Sequence, residues 1–243
     1  MFILSFCIVG FVGLYIGSYV TAISLRITTG EKLCVSRSKC DNCGVTIGHF
    51  YLIPVIGYLL CRGKCGSCGG RVSKEYMLWE VIHTAMYLIN FYLLNENLLA
   101  CALLCCVSST LMMISIVDIK TMYIYDIHII ILFIFLVSFL LQMNYLNITA
   151  FSFVKSFYPL LFKFLYEFIR QKITKEKLVV IGMGDVKLFA ILFFLLDFYE
   201  TTLIVGLSGT IGVFYGIVRG RGTHYPFIPS ISLGLYILFI YFL

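Results

Sequence analysis

The chain has 243 residues, of which 61% are hydrophobic and 12% are charged. A water-soluble domain of this length cannot bury so much apolar surface, so the composition excludes a soluble protein and predicts an integral membrane protein. The formal net charge of +6 is interpreted as a sign of membrane topology and of attraction to anionic lipid, and nucleic-acid binding is not expected.

Apolar runs near the length of a membrane span recur along the whole sequence. They lack the two-residue alternation of a membrane β-barrel, so helices are expected. The predicted fold class is an all-α polytopic membrane protein with about eight transmembrane helices and a cytoplasmic zinc-ribbon-like loop between the first two. The expected spans lie at roughly 2–25, 76–94, 98–117, 127–143, 148–168, 178–197, 201–218 and 226–243.

The first run, residues 2–25, is predicted to stay in the mature protein. No basic residue precedes it, and it is longer than the apolar core of a cleavable secretion signal. The segment that follows, residues 26–75, is more polar and is expected to form a separate cytoplasmic loop.

Six of the ten cysteines lie in this loop. Two Cys-x-x-Cys pairs, Cys40/Cys43 and Cys65/Cys68, lie about 20 residues apart, and each is followed by glycine, as is typical of a zinc ribbon. Four thiolates would close a tetrahedral, structural zinc site. Free thiols are the alternative, because a reducing cytoplasm disfavours disulfides. The two cysteines of the loop left outside the pairs are Cys34 and Cys61.

Apolar and aromatic residues occupy the stretch 49–58 between the two pairs. This stretch is expected to lie against the bilayer surface or against the helices. At the start of the second span, Glu80 and His83 lie beside the only tryptophan, Trp79, and are interpreted as interface anchors. Glu80 is also placed to face the loop.

Asp118 ends the apolar run of the third span. Ionisable groups inside a bilayer or at its rim are costly and usually functional, so Asp118 is a candidate catalytic residue. The nearby Asp126 precedes the fourth span and is well placed to cap its helix, so it is interpreted as structural. Further along, Lys163 and Glu167 are four residues apart and are expected to form an ion pair.

Asp185 lies in a Gly-x-Gly-Asp motif at the start of the sixth span. Gly182 and Gly184 leave room for another helix or an extended peptide to approach its backbone, and Lys187 adds a positive charge. Asp118 and Asp185 at one depth would be able to share a proton and activate water, as in an aspartic protease. The alternatives are an ion-binding acid of a transporter and a glycine pair that only packs helices.

Lysine and arginine are distributed unevenly among the predicted loops. Fifteen of the 18 lie in the segments 26–75, 118–126, 170–177 and 219–225, and the alternate loops have none. Basic loops face the cytoplasm, so the N-terminus is predicted outside and both acids on the cytoplasmic side. No phosphate-binding glycine loop, nucleophile elbow or His-Glu-x-x-His motif occurs, which removes the common hydrolase alternatives.

Taken in order along the chain, these residues resemble the type IV prepilin peptidases, the bifunctional leader peptidase/N-methyltransferases of pilus, secretion and competence systems. The chain departs from the family pattern at Tyr125–Asp126, where Pro-Asp is frequent, and in the last-span motif, which lacks a second glycine. The segments that carry the resemblance are Gly17–Tyr19, Arg26, Ser36–Cys43, Ile53–Val55, Gly63–Cys68, Tyr76, Glu80, Val117–Asp118, Gly182–Lys187 and Pro226–Pro229.

The resemblance implies that Asp118 and Asp185 are the catalytic aspartates, supported by Gly182, Gly184, Lys187 and Glu80. It implies that the enzyme cuts prepilin or pseudopilin precursors after a glycine, between a short basic leader and an apolar helix. It also implies that the new N-terminal amine is methylated with S-adenosylmethionine. The family's cysteine tetrad matches Cys40, Cys43, Cys65 and Cys68.

On this interpretation, residues 1–25 are the first transmembrane helix, residues 26–75 a zinc-binding loop associated with methylation, and residues 76–243 a membrane aspartic peptidase bundle. No nucleotide fingerprint marks a methyl-donor pocket. A peptidase with a purely structural loop and a transporter with ion-coupling acids therefore remain alternatives. The acids considered for recognition of the basic leader are Glu31, Asp41, Glu75 and Glu80.

Overall fold

A computed structural model describes residues 2–30, 37–174, 182–219 and 226–242. Within these residues the chain forms ten α-helices and one short 3-10 helix, and the only β pairing among them is two isolated bridges. The predicted all-α class is therefore confirmed. The chain divides into two compact units, Met1–Lys120 and Thr121–Leu243.

The first unit contains three long apolar helices. They are α1 (Phe2–Thr29), α3 (Lys74–Leu94) and α4 (Leu98–Thr121), and each is long and apolar enough to cross a bilayer. Between α1 and α3 lie a 3-10 turn (His49–Leu52) and the short helix α2 (Ile56–Leu60). This unit is consistent with an integral membrane protein.

Glycines on α1 allow α3 to approach closely. A Cβ added to Gly13 would lie 3.0 Å from the Cβ of Tyr87, and one added to Gly17 would lie 2.9 Å from the Cβ of His83. Small residues at such a seam let helix backbones approach and gain dispersion contacts in a membrane, where no hydrophobic force drives association.

His83 connects all three long helices. Its imidazole is fully buried, Nδ1 donates to the Gly13 carbonyl at 3.0 Å, and Nε2 lies 2.9 Å from the Ser109 hydroxyl of α4. Two turns further along α3, Asn90 donates to the Ser108 hydroxyl at 3.0 Å. The interpretation of His83 as an interface anchor was therefore wrong, because its polar atoms are satisfied by neighbouring helices and not by the headgroup layer.

The second unit contains six helices among its described residues. Of these, α5 and the apolar stretch of α10 are shorter than 18 residues, and α8 has 13 residues. Within the described residues of the chain, three helices are thus both long and apolar enough to cross a bilayer, and the predicted number of eight stays a prediction. The six are α5 (Asp126–Gln142), α6 (Ala150–Ser156), α7 (Tyr158–Thr174), α8 (Met183–Leu195), α9 (Phe198–Arg219) and α10 (Ile228–Phe242).

The predicted span at 148–168 is divided into two helices. Thr149 and Ser152 form a capping box that begins α6, and the helix ends at Ser156. Pro159 explains the break, since it has no N–H and its ring would clash with the carbonyl of Lys155 in a continuous helix. It is tolerated in the first turn of α7. The predicted Lys163–Glu167 pair is confirmed, with 3.8 Å between Nζ and Oε1.

Polar contacts fix the end of α8. Lys155 of α6 is buried, and its Nζ donates to the Leu196 carbonyl at 2.9 Å. A cation at a helix C-terminus interacts favourably with the helix dipole and satisfies an otherwise free carbonyl. The first turn of α9 contains Glu200, which is also buried and accepts hydrogen bonds from the Tyr145 hydroxyl and the Asp197 backbone N–H. These bonds hold α8, which carries Asp185 at its other end.

Candidate functional site

The four predicted zinc ligands lie together. The Sγ atoms of Cys40, Cys43, Cys65 and Cys68 are all within 4.8 Å of one another, and those of Cys40 and Cys68 are 3.9 Å apart. Four thiolates about 2.3 Å from a tetrahedral zinc ion would be about 3.8 Å from each other. The sulfur atoms are therefore close enough together to be compatible with such an ion.

The two cysteine pairs lie on two separate turns of the same kind. In the first, the Gly44 N–H donates to the Cys40 carbonyl at 2.8 Å, and Gly44 has φ +70°. In the second, the Gly69 N–H donates to the Cys65 carbonyl at 2.9 Å, and Gly69 has φ +67°. A side chain would strain this backbone conformation, so the glycines after each pair have the role that the sequence predicts.

Hydrogen bonds favour the thiolate form of two of these cysteines. The backbone N–H groups of Cys68 and Ser67 lower the pKa of Cys65 to about 6. The Gly70 backbone N–H, followed by the Asn42 amide, lowers the pKa of Cys68. Because the thiolate is the metal-binding form, these bonds prepare the site for a cation.

Cys43 shows that four negative charges are not stable there alone. The Val45 backbone N–H lowers its pKa, but the neighbouring thiol of Cys68, desolvation, and the thiols of Cys40 and Cys65 together raise it to about 11. A divalent cation would relieve this repulsion. The donor set and its electrostatics thus fit a bound metal ion.

The remaining cysteines of the loop are not at this centre. Cys61 lies at the end of α2, and its Sγ donates to the Gly57 carbonyl at 2.7 Å. Cys34 lies outside the described residues, as does Glu31, one of the acids considered for leader recognition.

Glu80 attaches the loop to α3. Its side chain is buried and accepts a hydrogen bond of 2.7 Å from the Val55 backbone N–H. Val55 has φ +60° and ψ −52°, and the Ile56 N–H donates to the Pro54 carbonyl at 2.6 Å, which defines a γ-turn. This conformation is strained for a β-branched residue. Glu80 therefore faces the loop, and no feature of the sequence marked Val55 as its partner.

Asp118 lies in the last turn of α4 and is buried, with 6% of its surface exposed. The α4 residues from Ile114 to Val117 that precede it are also buried. A carboxyl group in such a position is costly unless it is used or paired, and the expectation that Asp118 is catalytic stays a prediction.

The other acids considered for leader recognition near this helix have partners. Lys120 pairs with Glu75 at 2.6 Å, and Asp41 accepts a hydrogen bond from the Tyr76 hydroxyl at 3.3 Å. Both contacts are exposed to solvent, so each contributes little to stability.

Asp185 lies in the first turn of α8 and is half-buried. Gly182 is the N-cap, and a Cβ placed on it would lie 3.2 Å from a carboxylate oxygen of Asp185. A Cβ on Gly184 would overlap the side chain of Ile124, which precedes α5. The close approach that the glycines were expected to allow is observed at Gly184, where the approaching segment belongs to the same chain. Ile181, which precedes the motif, lies outside the described residues.

Lys187 forms an ion pair with Asp126. Helix α5 begins at Asp126 itself, and its N-cap is Tyr125, whose side chain makes no capping bond. The prediction that Asp126 caps this helix was therefore wrong. Its carboxylate instead joins the start of α5 to the first turn of α8, a contact between residues too distant in sequence to be read from a local pattern.

Two family models match the sequence. The Bacterial Peptidase A24 N-terminal domain matches residues 11–94, which include the cysteine loop and Glu80. The Type IV leader peptidase family matches residues 105–217, which include Asp118 and Asp185. The motif at 226–229 lies beyond both matches.

Individual relatives align over most of the chain. A prepilin leader peptidase/N-methyltransferase of Bacillus subtilis (strain 168) is 29% identical, over 94% of this chain and 91% of the relative. A type 4 prepilin-like proteins leader peptide-processing enzyme of Escherichia coli O78:H11 is 27% identical, over 84% and 75%. A prepilin leader peptidase/N-methyltransferase of Neisseria gonorrhoeae is 26% identical, over 89% and 77%. No solved structure matches the chain.

Proposed function

Because this chain belongs to the type IV prepilin peptidase family, we propose that it removes the leader peptide from prepilin or pseudopilin precursors and methylates the new N-terminal residue. The observation that carries the proposal is the location of both acids. Asp118 ends the apolar helix α4, Asp185 begins the apolar helix α8, and both lie within the match to the leader peptidase family.

The proposed reaction is aspartic proteolysis. One carboxylate of the Asp118/Asp185 pair acts as a general base on water, and the other, protonated, polarises the scissile carbonyl. The roles reverse when the leaving amine is protonated. Two carboxyl groups that share a water titrate as a unit, so neither residue is assigned a fixed role.

The surroundings of each acid support this chemistry. Burial of Asp118 makes two separate charges costly and one shared proton favourable. The N-terminus of α8 stabilises negative charge on Asp185 and on an oxyanion near it.

The mechanism requires that residues 118 and 185 come within reach of one water molecule.

The proposed topology places this chemistry at the cytoplasmic face of the cell membrane. Eight spans with the N-terminus outside put the basic loops in the cytoplasm. A basic leader would remain on that side, and the apolar helix of the pilin would enter the bilayer, so the scissile bond lies between them. The substrate class agrees with the names of the relatives, which act on prepilins.

Zinc and S-adenosylmethionine are the proposed cofactors. The ion would be held by Cys40, Cys43, Cys65 and Cys68, where it would join the two turns and give a short loop its core. S-adenosylmethionine would supply the methyl group, and no residue is assigned to it.

A peptidase whose cysteine loop is only structural is the second candidate. The product mass distinguishes the two, since a mature N-terminus without an added methyl group, with donor present, favours the second.

Asp118→Asn and Asp185→Asn test the mechanism. Each purified variant, assayed on a prepilin by mass spectrometry, is expected to lose at least about 10³-fold in cleavage rate, because each removes one member of a proton-transfer pair. Asp197→Asn, which changes an exposed acid at the opposite end of α8, is the matched control and should cleave normally. Wild-type cleavage by either of the first two variants would remove that residue from catalysis.

A further inference from the structure

The stretch between the cysteine pairs, residues 49–60, presents an apolar face to the outside. We call it the inter-pair segment. It consists of the 3-10 turn and α2, which form one body because Gly57 lies directly against the Tyr51 carbonyl, where a Cβ would overlap. On α2, Ile56, Leu59 and Leu60 are exposed and lie on one face, at positions i, i+3 and i+4.

The exposed apolar area is large for so short a segment. Phe50 is 77% exposed and Leu59 61%, and Tyr51, Ile56 and Leu60 are each more than half exposed. Isolated apolar side chains on a surface are ordinary, but a contiguous cluster of this size marks a binding surface. The sequence left open whether this stretch lies against helices or against lipid, and its exposure favours lipid.

The attachment to α3 fixes the position of the segment along this helix. Glu80, which binds the Val55 N–H, is six residues after the start of α3 at Lys74, or about 9 Å along the helix axis. Helix α3 is a candidate membrane span. The segment therefore contacts α3 below its first turn; if α3 enters the bilayer at that turn, the segment lies where the headgroup layer meets the hydrocarbon.

The charges beside the segment have the sign that attracts anionic lipid. The described residues 37–74 contain six lysines and arginines and one acid, Asp41. Arg62 and Lys64 directly follow α2 and are exposed. Each lysine or arginine near an anionic membrane surface contributes about 1 kcal/mol to binding.

We propose that the inter-pair segment is a membrane-interface anchor. Phe50, Ile56, Leu59 and Leu60 enter the boundary between headgroups and acyl chains, and Arg62 and Lys64 bind the phosphates of anionic phospholipids. The anchor holds both cysteine pairs at the membrane surface, since it is covalently continuous with them on either side. The proposal rests on unit Met1–Lys120 alone and does not depend on the peptidase activity.

The single tryptophan allows a direct test in the full-length protein. In a Trp79→Phe background, tryptophan is introduced by Phe50→Trp or Leu59→Trp, and by Val45→Trp as the control, because Val45 is an exposed apolar residue of the first cysteine turn. Each variant is reconstituted in phosphatidylcholine–phosphatidylglycerol bilayers whose acyl chains are brominated near the headgroup. Tryptophans at 50 and 59 are expected to be quenched at least about twofold more than that at 45.

Equal, weak quenching at all three positions would overturn the proposal. The proposal would also be overturned if the tryptophans at 50 and 59 became shielded from solvent only when a prepilin is added. The exposed face would then be a surface that binds the substrate. Both substitutions are conservative and exposed, so folding is expected to persist, and circular dichroism checks it.

The role of charge is tested in the Leu59→Trp reporter. Adding Arg62→Gln and Lys64→Gln should at least halve the extra quenching gained when phosphatidylglycerol replaces phosphatidylcholine. An unchanged dependence on anionic lipid would show that these two side chains do not bind headgroups.

Discussion

The hydrogen bond between the Glu80 carboxylate and the Val55 N–H holds the loop against a helix and also stabilises a strained turn. It joins helix α3 to the γ-turn that precedes α2. A γ-turn of this hand stores about 1–3 kcal/mol of strain, so the turn persists only because the surroundings over-determine it. Loss of the acceptor leaves both the strain and an unpaired N–H.

Glu80→Ala is accordingly expected to loosen the loop. Removal of the Glu80 carboxylate should destabilise the docking of the inter-pair segment on α3 by about 1–3 kcal/mol. The effect is measured as faster amide hydrogen exchange at residues 55–60. Glu80→Gln keeps an acceptor oxygen and should retain most of the protection. Val55→Gly added to Glu80→Ala should restore part of it, because glycine adopts this φ without strain. Unchanged exchange in Glu80→Ala would contradict the proposed attachment.

Gly184 has an equally specific requirement. A methyl group there would overlap Ile124, so Gly184→Ala should lower both stability and cleavage, and Ile124→Ala in the same chain should restore much of each. Gly206 of α9 is the matched control, since no atom lies within 4 Å of a Cβ placed on it. Gly206→Ala should be neutral or slightly stabilising in thermal unfolding. Equal effects of the two glycine substitutions would mean that Ile124 does not constrain the first turn of α8.

At the scale of elements, two short turns meet at one cluster of four thiols. Each cysteine turn has a single glycine bend and one isolated β-bridge, Lys39 with Thr46 or Lys64 with Arg71. Such turns bury almost no apolar surface, so they cannot offset their own conformational entropy. A metal ion held by both turns would supply that free energy.

Zinc content is therefore expected to follow individual cysteines. Cys40→Ser or Cys65→Ser should abolish stoichiometric zinc, measured by atomic emission, and should expose residues 37–73 to protease. Cys61→Ser is the control, because its hydroxyl can donate to the same Gly57 carbonyl as the thiol. Full zinc content in Cys40→Ser, or loss of zinc in Cys61→Ser, would contradict the assigned ligand set.

At the scale of the whole molecule, the uneven distribution of basic residues predicts orientation. Alkaline phosphatase, which is active only outside the cytoplasm, should be active when fused after Asn95, since the loop between α3 and α4 has no lysine or arginine. Fused after Lys172, it should be inactive. The reverse pattern would place the cysteine loop outside the cell and remove the proposed access of a cytoplasmic leader.

The sequence by itself determined the features that depend on neighbouring residues. Apolar runs predicted helices, the Cys-x-x-Cys pairs predicted a four-sulfur cluster, and the spacing of Lys163 and Glu167 predicted their ion pair. Each follows from a turn, a helical repeat or a composition that spans few residues, so local physical chemistry decides it.

Only the tertiary structure decided which distant residues meet. Glu80 binds the backbone 25 residues earlier, and Asp126 pairs with Lys187, 61 residues later, where the local pattern predicted a helix cap. Ile124 covers Gly184, and His83 bonds two other helices where an interface anchor was expected. These contacts depend on how helices pack, because many partners are compatible with one apolar pattern and shape complementarity selects among them.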